Sequence, residues 1–111
     1  MTTYLKDEPF AVAPTPTDIT LLDVRDTRLL AVSVTNLDVS QTVDGSVLSA
    51  VWKGGTLGLT TLADLQAIAP GETRPVTLDC DTRSEIQLRF VASGAGCNIR
   101  VSAKPDGGRR P

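Results

Sequence analysis

Carboxylate and thiol side chains are the groups in this sequence that come closest to forming a chemical site. Asp79, Cys80 and Asp81 are consecutive, so on an extended strand the two carboxylates point to the same face. A hard cation such as Ca²⁺ takes about six to eight oxygen ligands, and the nearest further acid in the sequence is Glu85. We therefore interpret the acidic pair as a solvated strand end and expect no metal site.

The sequence contains no histidine, the most common general base and metal ligand. Ser33, Ser49 and Thr77 therefore have no partner for triad chemistry. The segment Gly94-Ala95-Gly96 is not followed by a helical pattern, which favours a hairpin loop over a phosphate-binding loop. We expect a protein that is not an enzyme, with no catalytic residue and no cofactor.

Cys80 and Cys97 are the two cysteines, and each alternates in phase with apolar neighbours. If strands 73–80, 85–92 and 97–103 form a simple meander, the thiols lie about 20 Å or more apart along the middle strand. A disulfide requires Cα atoms within about 7 Å. We expect two buried free thiols, with a disulfide or a reactive thiol as alternatives.

Period-two alternation of apolar and polar residues indicates how these groups are positioned. In the C-terminal third, Leu88 and Phe90 fall on one face, whereas Gln87 and Arg89 fall on the other, a pattern typical of half-buried antiparallel strands. About seven such strands, separated by turn signals, predict an all-β, single antiparallel β-sandwich. The predicted strands are residues 18–24, 28–35, 40–43, 46–53, 73–80, 83–92 and 97–103.

Three segments between these strands have less regular patterns. Asp44-Gly45 predicts a tight type I′ hairpin turn, and the apolar residues on both faces of 46–53 indicate a central strand or one covered by another segment. Gly54-Gly55 indicates a loop. Residues 61–68 are compatible with a short helix or with an irregular crossover.

The 111 residues suit one domain, and 41% of them are hydrophobic, which is enough for a core. The net charge of -2 argues against a nucleic-acid surface, and no apolar run reaches the roughly 20 residues that span a bilayer. The N-terminus is acidic where a signal peptide is basic. These features predict synthesis in a cytoplasm and no nucleic-acid or membrane partner.

The terminal segments differ from the predicted β-sandwich domain, residues 18–103. Residues 1–17 contain three prolines, which favour extended chain, and predict an extended N-terminal arm. Residues 104–111 predict a flexible C-terminal tail. The arm carries apolar side chains without a period, so we expect it to become ordered on a partner subunit. The predicted partner-binding residues are Tyr4, Leu5 and Phe10.

Two short motifs encode turns between strands. The segment 30–36, Leu-Ala-Val-Ser-Val-Thr-Asn, precedes the segment 68–78, which contains a Pro-Gly-Glu turn. This arrangement resembles the immunoglobulin-like sandwiches of bacterial and phage proteins. The cysteines do not lie on the strands that carry the inter-sheet bridge of antibody domains, so the resemblance implies no such bridge. The fold is expected to be immunoglobulin-like or a jelly roll.

The chain is also similar, in its length, its arm and its composition, to the small capsid decoration (cementing) proteins of tailed bacteriophages. That resemblance implies a virion structural protein, made in the host cytoplasm, that binds across capsid subunits and stabilises the shell. Its expected partners are the major capsid protein and neighbouring copies of itself, as a homo-oligomer on the assembly. The alternatives are a tail or neck component of a virion, or a bacterial adhesion or carbohydrate-binding module.

Overall fold

The structure, a computed structural model, describes residues 5–25, 27–80 and 85–105. These residues form two antiparallel four-stranded sheets that pack as a sandwich, with no helix among them. The predicted all-β sandwich is therefore confirmed. The strands are β1 (Leu5–Val12), β2 (Thr17–Asp23), β3 (Leu29–Asn36), β4 (Val43–Lys53), β5 (Thr56–Ile68), β6 (Thr73–Asp79), β7 (Glu85–Ala92) and β8 (Cys97–Pro105).

The strand order identifies the topology as a jelly roll. The first sheet has the order β1-β8-β3-β6 and the second has the order β2-β7-β4-β5. Each strand thus pairs with its counterpart from the other half of the chain, β1 with β8, β2 with β7, β3 with β6 and β4 with β5. This is a long hairpin rolled into two sheets, the arrangement of jelly rolls. The last three strands do not form the simple meander assumed in estimating the distance between the cysteines, because β7 lies in the opposite sheet from β6 and β8.

Alternating side chains from both sheets fill the space between them. Phe90 and Leu88 on β7 are fully buried in this core, while Arg89 points outward and its Nε donates a hydrogen bond to Asp18 Oδ1 at 2.6 Å. The predicted register of β7 is therefore confirmed. Gln87, also on the outer face, is buried rather than solvated, because it pairs with buried Leu48 on the adjacent strand. β4 lies between β7 and β5, as its two apolar faces predicted.

The hairpin turn lies ten residues beyond its predicted position. β4 continues through Asp44 and Gly45, and the turn occurs at Gly54 and Gly55, whose φ angles of 60° and 82° fit a type I′ turn. Gly45 serves a packing purpose instead. A Cβ there would lie 2.6 Å from Cε1 of Phe90, so the aromatic ring occupies the space that a side chain would need.

Residues 61–68 belong to β5, and the prediction of a short helix or crossover is wrong. Two β-bulges each give β5 one residue more than β4, and the second contains Ala67 at a φ of 54°. The bulges shift the strand so that Leu62, Leu65 and Ile68 all face the core, three residues apart. That spacing imitates a helical period although the backbone is extended.

The predicted N-terminal arm is a strand of the first sheet over residues 5–12. β1 pairs with β8, Val12 is buried, and Leu5 and Phe10 pack partly against the core. Phe10 lies opposite Ile99, so its neighbours are apolar. Tyr4 lies outside the described residues, as does most of the predicted tail, whereas Lys104 and Pro105 belong to β8. The partner-binding role of Tyr4, Leu5 and Phe10 stays a prediction.

Cys80 and Cys97 are buried free thiols, as predicted, but the geometry that separates them is different. β3 lies between β6 and β8. The backbone N–H of Cys80 donates to the carbonyl of Arg28, just before β3 begins. Cys97 lies beyond the end of β3, where Asn36 pairs with Ile99. About eight residues of strand between these points span about 25 Å.

Candidate functional site at the loop end of the sandwich

Four loops converge at one end of the sandwich, and together we call them the loop end. They are residues 13–16, 37–42, 69–72 and 93–96. Backbone hydrogen bonds join them: the N–H of Ala92 donates to Ala13 O, and the N–H of Ser93 donates to Thr42 O, both at 3.0 Å. The loop end is therefore one connected surface assembled from distant parts of the chain.

Asn36, the last residue of β3, holds two of these loops together. Its side chain is fully buried, and Nδ2 donates to the carbonyls of Gln41 at 2.7 Å and Ile68 at 3.0 Å. Oδ1 accepts the backbone N–H of Asp38 at 3.0 Å, and the carbonyl of Asn36 accepts the N–H of Gly71. One buried amide thus fixes loop 37–42 against the end of β5.

Loop 37–42 is further ordered by its own carboxylate. Oδ2 of Asp38 accepts the N–H groups of Ser40 at 2.9 Å and Gln41 at 2.8 Å, and these bonds lower the pKa of that carboxyl. The turn projects two apolar side chains into solvent, Val39 with 92% exposure and Leu37 with 43%. They are the large exposed hydrophobic residues of the described chain. We call residues 37–39, the segment that carries these two apolar side chains, the apolar tip.

Gln41 connects loop 37–42 to loop 93–96. Its Nε2 donates to the carbonyl of Gly96 at 2.9 Å, and its side chain fills the space beside Gly94, where a Cβ would lie 2.8 Å from Oε1. Oε1 is buried and accepts no hydrogen bond from the described residues. Close packing of a glycine loop against a long side chain makes the base of the apolar tip rigid.

The loop end carries little charge. Its four loops contain two ionisable residues, Asp38 and Glu72, and no lysine or arginine. Both carboxylates accept hydrogen bonds from neighbouring residues. Oε1 of Glu72 accepts the N–H of Ala69 at 2.8 Å and Oε2 accepts Arg74 Nη2 at 2.7 Å, which lowers the pKa of Glu72. What remains exposed is mostly alanine, proline, glycine, serine, threonine and the apolar tip.

A shallow hollow of about 470 Å³ lies beside the loop end, between Val12, Pro14, Gly96 and Cys97. Burial raises the pKa of the Cys97 thiol, and the nearby carboxylate of Asp38 raises it further. The thiol therefore stays protonated at neutral pH, which makes it a poor nucleophile. The hollow suits packing against a partner better than catalysis.

The structure does not assemble the acidic residues into a metal site. Within residues 5–25, 27–80 and 85–105, no three His, Cys, Asp or Glu side chains come close enough to hold a metal ion. Asp79 ends β6 at the other end of the sandwich from the loop end, and Asp81 lies outside the described residues. None of the described residues forms a helix able to cross a bilayer.

The apolar tip is the functional candidate that the sequence interpretation missed. A signal was present, because Leu37 and Val39 flank an aspartate in a segment that is otherwise a turn. Exposed apolar residues in a hydrogen-bonded turn have no role in the core. Of the residues that the sequence singled out instead, Leu5 and Phe10 lie on β1 and not in the four loops, and Tyr4 lies outside the described residues.

Asn36→Ala should destabilise the protein by about 3 kcal/mol, because it removes the side-chain partner of one buried carbonyl, one partly buried carbonyl and one N–H. The measurement is chemical unfolding followed by circular dichroism. Asn98→Ala, at an exposed position on β8, is the control and should change stability by less than about 0.5 kcal/mol. Equal effects from the two variants would show that Asn36 does not organise the loops.

Comparison of the chain with protein-family models finds no matching family. Comparison with curated proteins finds no matching relative. The functional candidates therefore depend on the geometry of this chain.

Proposed function

We propose that this protein is a phage virion structural protein, a capsid decoration protein that binds the major capsid protein through its loop end. The observation that carries the proposal is the apolar tip, in which Val39 is 92% exposed. Its loop is fixed by backbone N–H groups that donate to the side-chain oxygens of Asn36 and Asp38. A rigid turn that presents an apolar side chain to solvent is suited to insertion into a pocket on another protein.

The composition of the loop end supports a protein partner over other ligands. Jelly rolls serve as capsid, lectin and cupin domains. Cupin-type metal chemistry relies on histidine ligands, and the sequence has none. A sugar-binding surface usually offers an aromatic platform, and the four loops contain no aromatic residue. The centres of protein–protein interfaces, in contrast, are poor in charged residues.

The hydrogen bonds within the loop end also favour tight attachment. A loop that is already ordered loses little conformational entropy when it binds. On a shell, neighbouring copies of the chain would contact one another as a homo-oligomer and add avidity to each contact. The protein would stabilise the shell by bridging adjacent capsid subunits, without a covalent or cofactor-dependent step.

Val39→Asp should weaken binding to the shell by about tenfold or more, because a charge would be buried in an apolar contact. The measurement is co-sedimentation of the purified chain with capsid shells. The shells are assembled from the major capsid protein that is encoded in the same genome as this chain. Thr77→Asp adds the same charge at an exposed position on β6, far from the loop end, and should leave binding unchanged.

Two outcomes would contradict the proposal. If the unaltered chain does not bind shells at any concentration tested, the protein is not a decoration protein, and a tail, neck or adhesion role would take its place. If Val39→Asp binds shells as tightly as the unaltered chain, the apolar tip is not the contact.

A further inference from the structure

Each sheet of the sandwich has two edge strands, β1 and β6 in the first sheet and β2 and β5 in the second. Edge strands expose backbone N–H and C=O groups that can pair with a strand of another molecule. In an antiparallel ladder, the residues of one strand point their backbone groups alternately towards the neighbour and away from it. The hydrogen bonds between strands therefore show which edge groups face outward.

On β6 the outward-facing row of donors is interrupted by a proline. The N–H of Cys80 donates to Arg28 O, and the N–H of Asn36 donates to Glu72 O. Even-numbered residues of β6 therefore point their backbone groups at β3, and odd-numbered residues point theirs outward. Pro75, opposite Ser33, is one of the outward residues and has no N–H to offer.

β1, at the opposite edge of this sheet, also has a proline at an outward-facing position. The N–H of Leu37 donates to Asn98 O, so even-numbered residues of β8 face β3 and odd-numbered residues face β1. Ile99 thus bonds to Phe10, and Pro9, opposite Arg100, points its nitrogen outward. Both edges of the first sheet place a proline where a donor would otherwise face solvent.

Bulges interrupt three of the edge strands as well. β1 has a register shift between Leu5 and Glu8, where Asp7 has a φ of 52° and its N–H donates to Ser102 Oγ at 3.0 Å. β2 is shifted between Asp18 and Thr20, and β5 has the two bulges described above. A bulged edge does not offer the regular row of groups that a further strand needs.

We infer that all four edges of the sandwich are closed to strand addition, so that copies of this chain do not join through continuous sheets. Contacts with other molecules then depend on side-chain surfaces such as the loop end. Sheet edges are consequently excluded as the means by which the chain would grip a shell. Closed sheet edges limit the self-association of the free protein, whether or not its partner is a capsid.

Pro75→Thr is the direct test, because it restores the missing outward N–H between Thr73 and Thr77. We expect self-association to become about tenfold tighter or more, measured as sedimentation coefficient against protein concentration. Thr77→Val changes an exposed side chain on the same edge without adding an N–H and should remain like the unaltered chain. Pro9→Thr should have a smaller effect than Pro75→Thr, because the bulge on β1 remains.

Thermal melts of each variant at low concentration show whether it folds, and Pro75→Thr should melt close to the unaltered chain. If Pro75→Thr is folded and associates no more than Thr77→Val, the inference is overturned. If Pro75→Thr does not fold, Pro9→Thr combined with deletion of Asp7, which removes the extra residue of the β1 bulge, supplies the test at the other edge, with the same expected increase. Shell binding by Pro75→Thr should persist, so failure of the edge inference and failure of the proposed function give different results.

Discussion

Phe90→Ala should destabilise the protein by about 3–5 kcal/mol and lower Tm by more than about 10 °C. Phe90 is fully buried in the core between the sheets, so its loss leaves a cavity that neighbouring side chains fill only in part. Typical domains have about 5–15 kcal/mol of stability in total, so the variant should be only marginally folded. Thermal and denaturant unfolding both measure the change.

Arg89→Ala is the matched control on the neighbouring residue. Its side chain is partly exposed and its ion pair with Asp18 lies at the surface, so its loss should cost less than about 1 kcal/mol. Similar effects from Phe90→Ala and Arg89→Ala would mean that the register of β7 is displaced by one residue.

The contact between Phe90 and Gly45 allows a sharper version of the same experiment. Gly45→Ala places a methyl group 2.6 Å from the ring and should cost about 1–3 kcal/mol through overpacking. In a Phe90→Leu background the ring is absent, so the same change should cost much less. A double-mutant cycle without such coupling would contradict the packing of β4 against β7.

Deletion of residues 2–12 should lower stability by more than about 4 kcal/mol, because it removes buried Val12 and the partly buried side chains of Phe10 and Leu5. It also uncovers β8, whose backbone groups facing β1 would lose their partners. The sequence alone predicted the opposite, an arm whose loss leaves the domain unchanged. Thermal unfolding of the truncated chain shows whether residues 2–12 stabilise the domain or are a dispensable arm.

Glu8→Ala, at an exposed position on β1, is the control for this deletion and should change stability by less than about 0.5 kcal/mol. If the truncated chain melts like the full chain, β1 contributes nothing to the sandwich. The N-terminal segment would then act as an arm, and its apolar residues would be free for a partner.

Five strands could be predicted from the sequence with ends within two residues of the observed ends, namely β2, β3, β6, β7 and β8. Among them, β3, β7 and β8 place buried residues at every second position. Local pattern was sufficient there because each strand has one face in the core and one face outside it.

The elements that could not be predicted are those in which tertiary packing overrides the local pattern. Gly45 has the sequence of a turn but lies in a strand because Phe90 needs its space. The bulges of β5 produce the helical spacing of residues 61–68. The three prolines of residues 1–17 suggested an extended arm, yet Pro9 is compatible with an edge strand because its nitrogen faces outward.

The loop end lay beyond prediction for a different reason. It brings together loops that are separated by 20 residues or more in the sequence, and only the rolled topology places them side by side. Asn36 could be read from the sequence as a turn residue, but its bonds to Gln41 and Ile68 depend on how two distant strands end.

We propose that the loop end is the surface by which this protein attaches to a capsid shell. The most direct test is cryo-electron microscopy of shells of the major capsid protein saturated with the unaltered chain. We expect density for the sandwich standing end-on, with Leu37 and Val39 buried against the shell and the edge of β6 in solvent. Density in which Val39 faces solvent while a sheet face or the edge of β6 contacts the shell would contradict it.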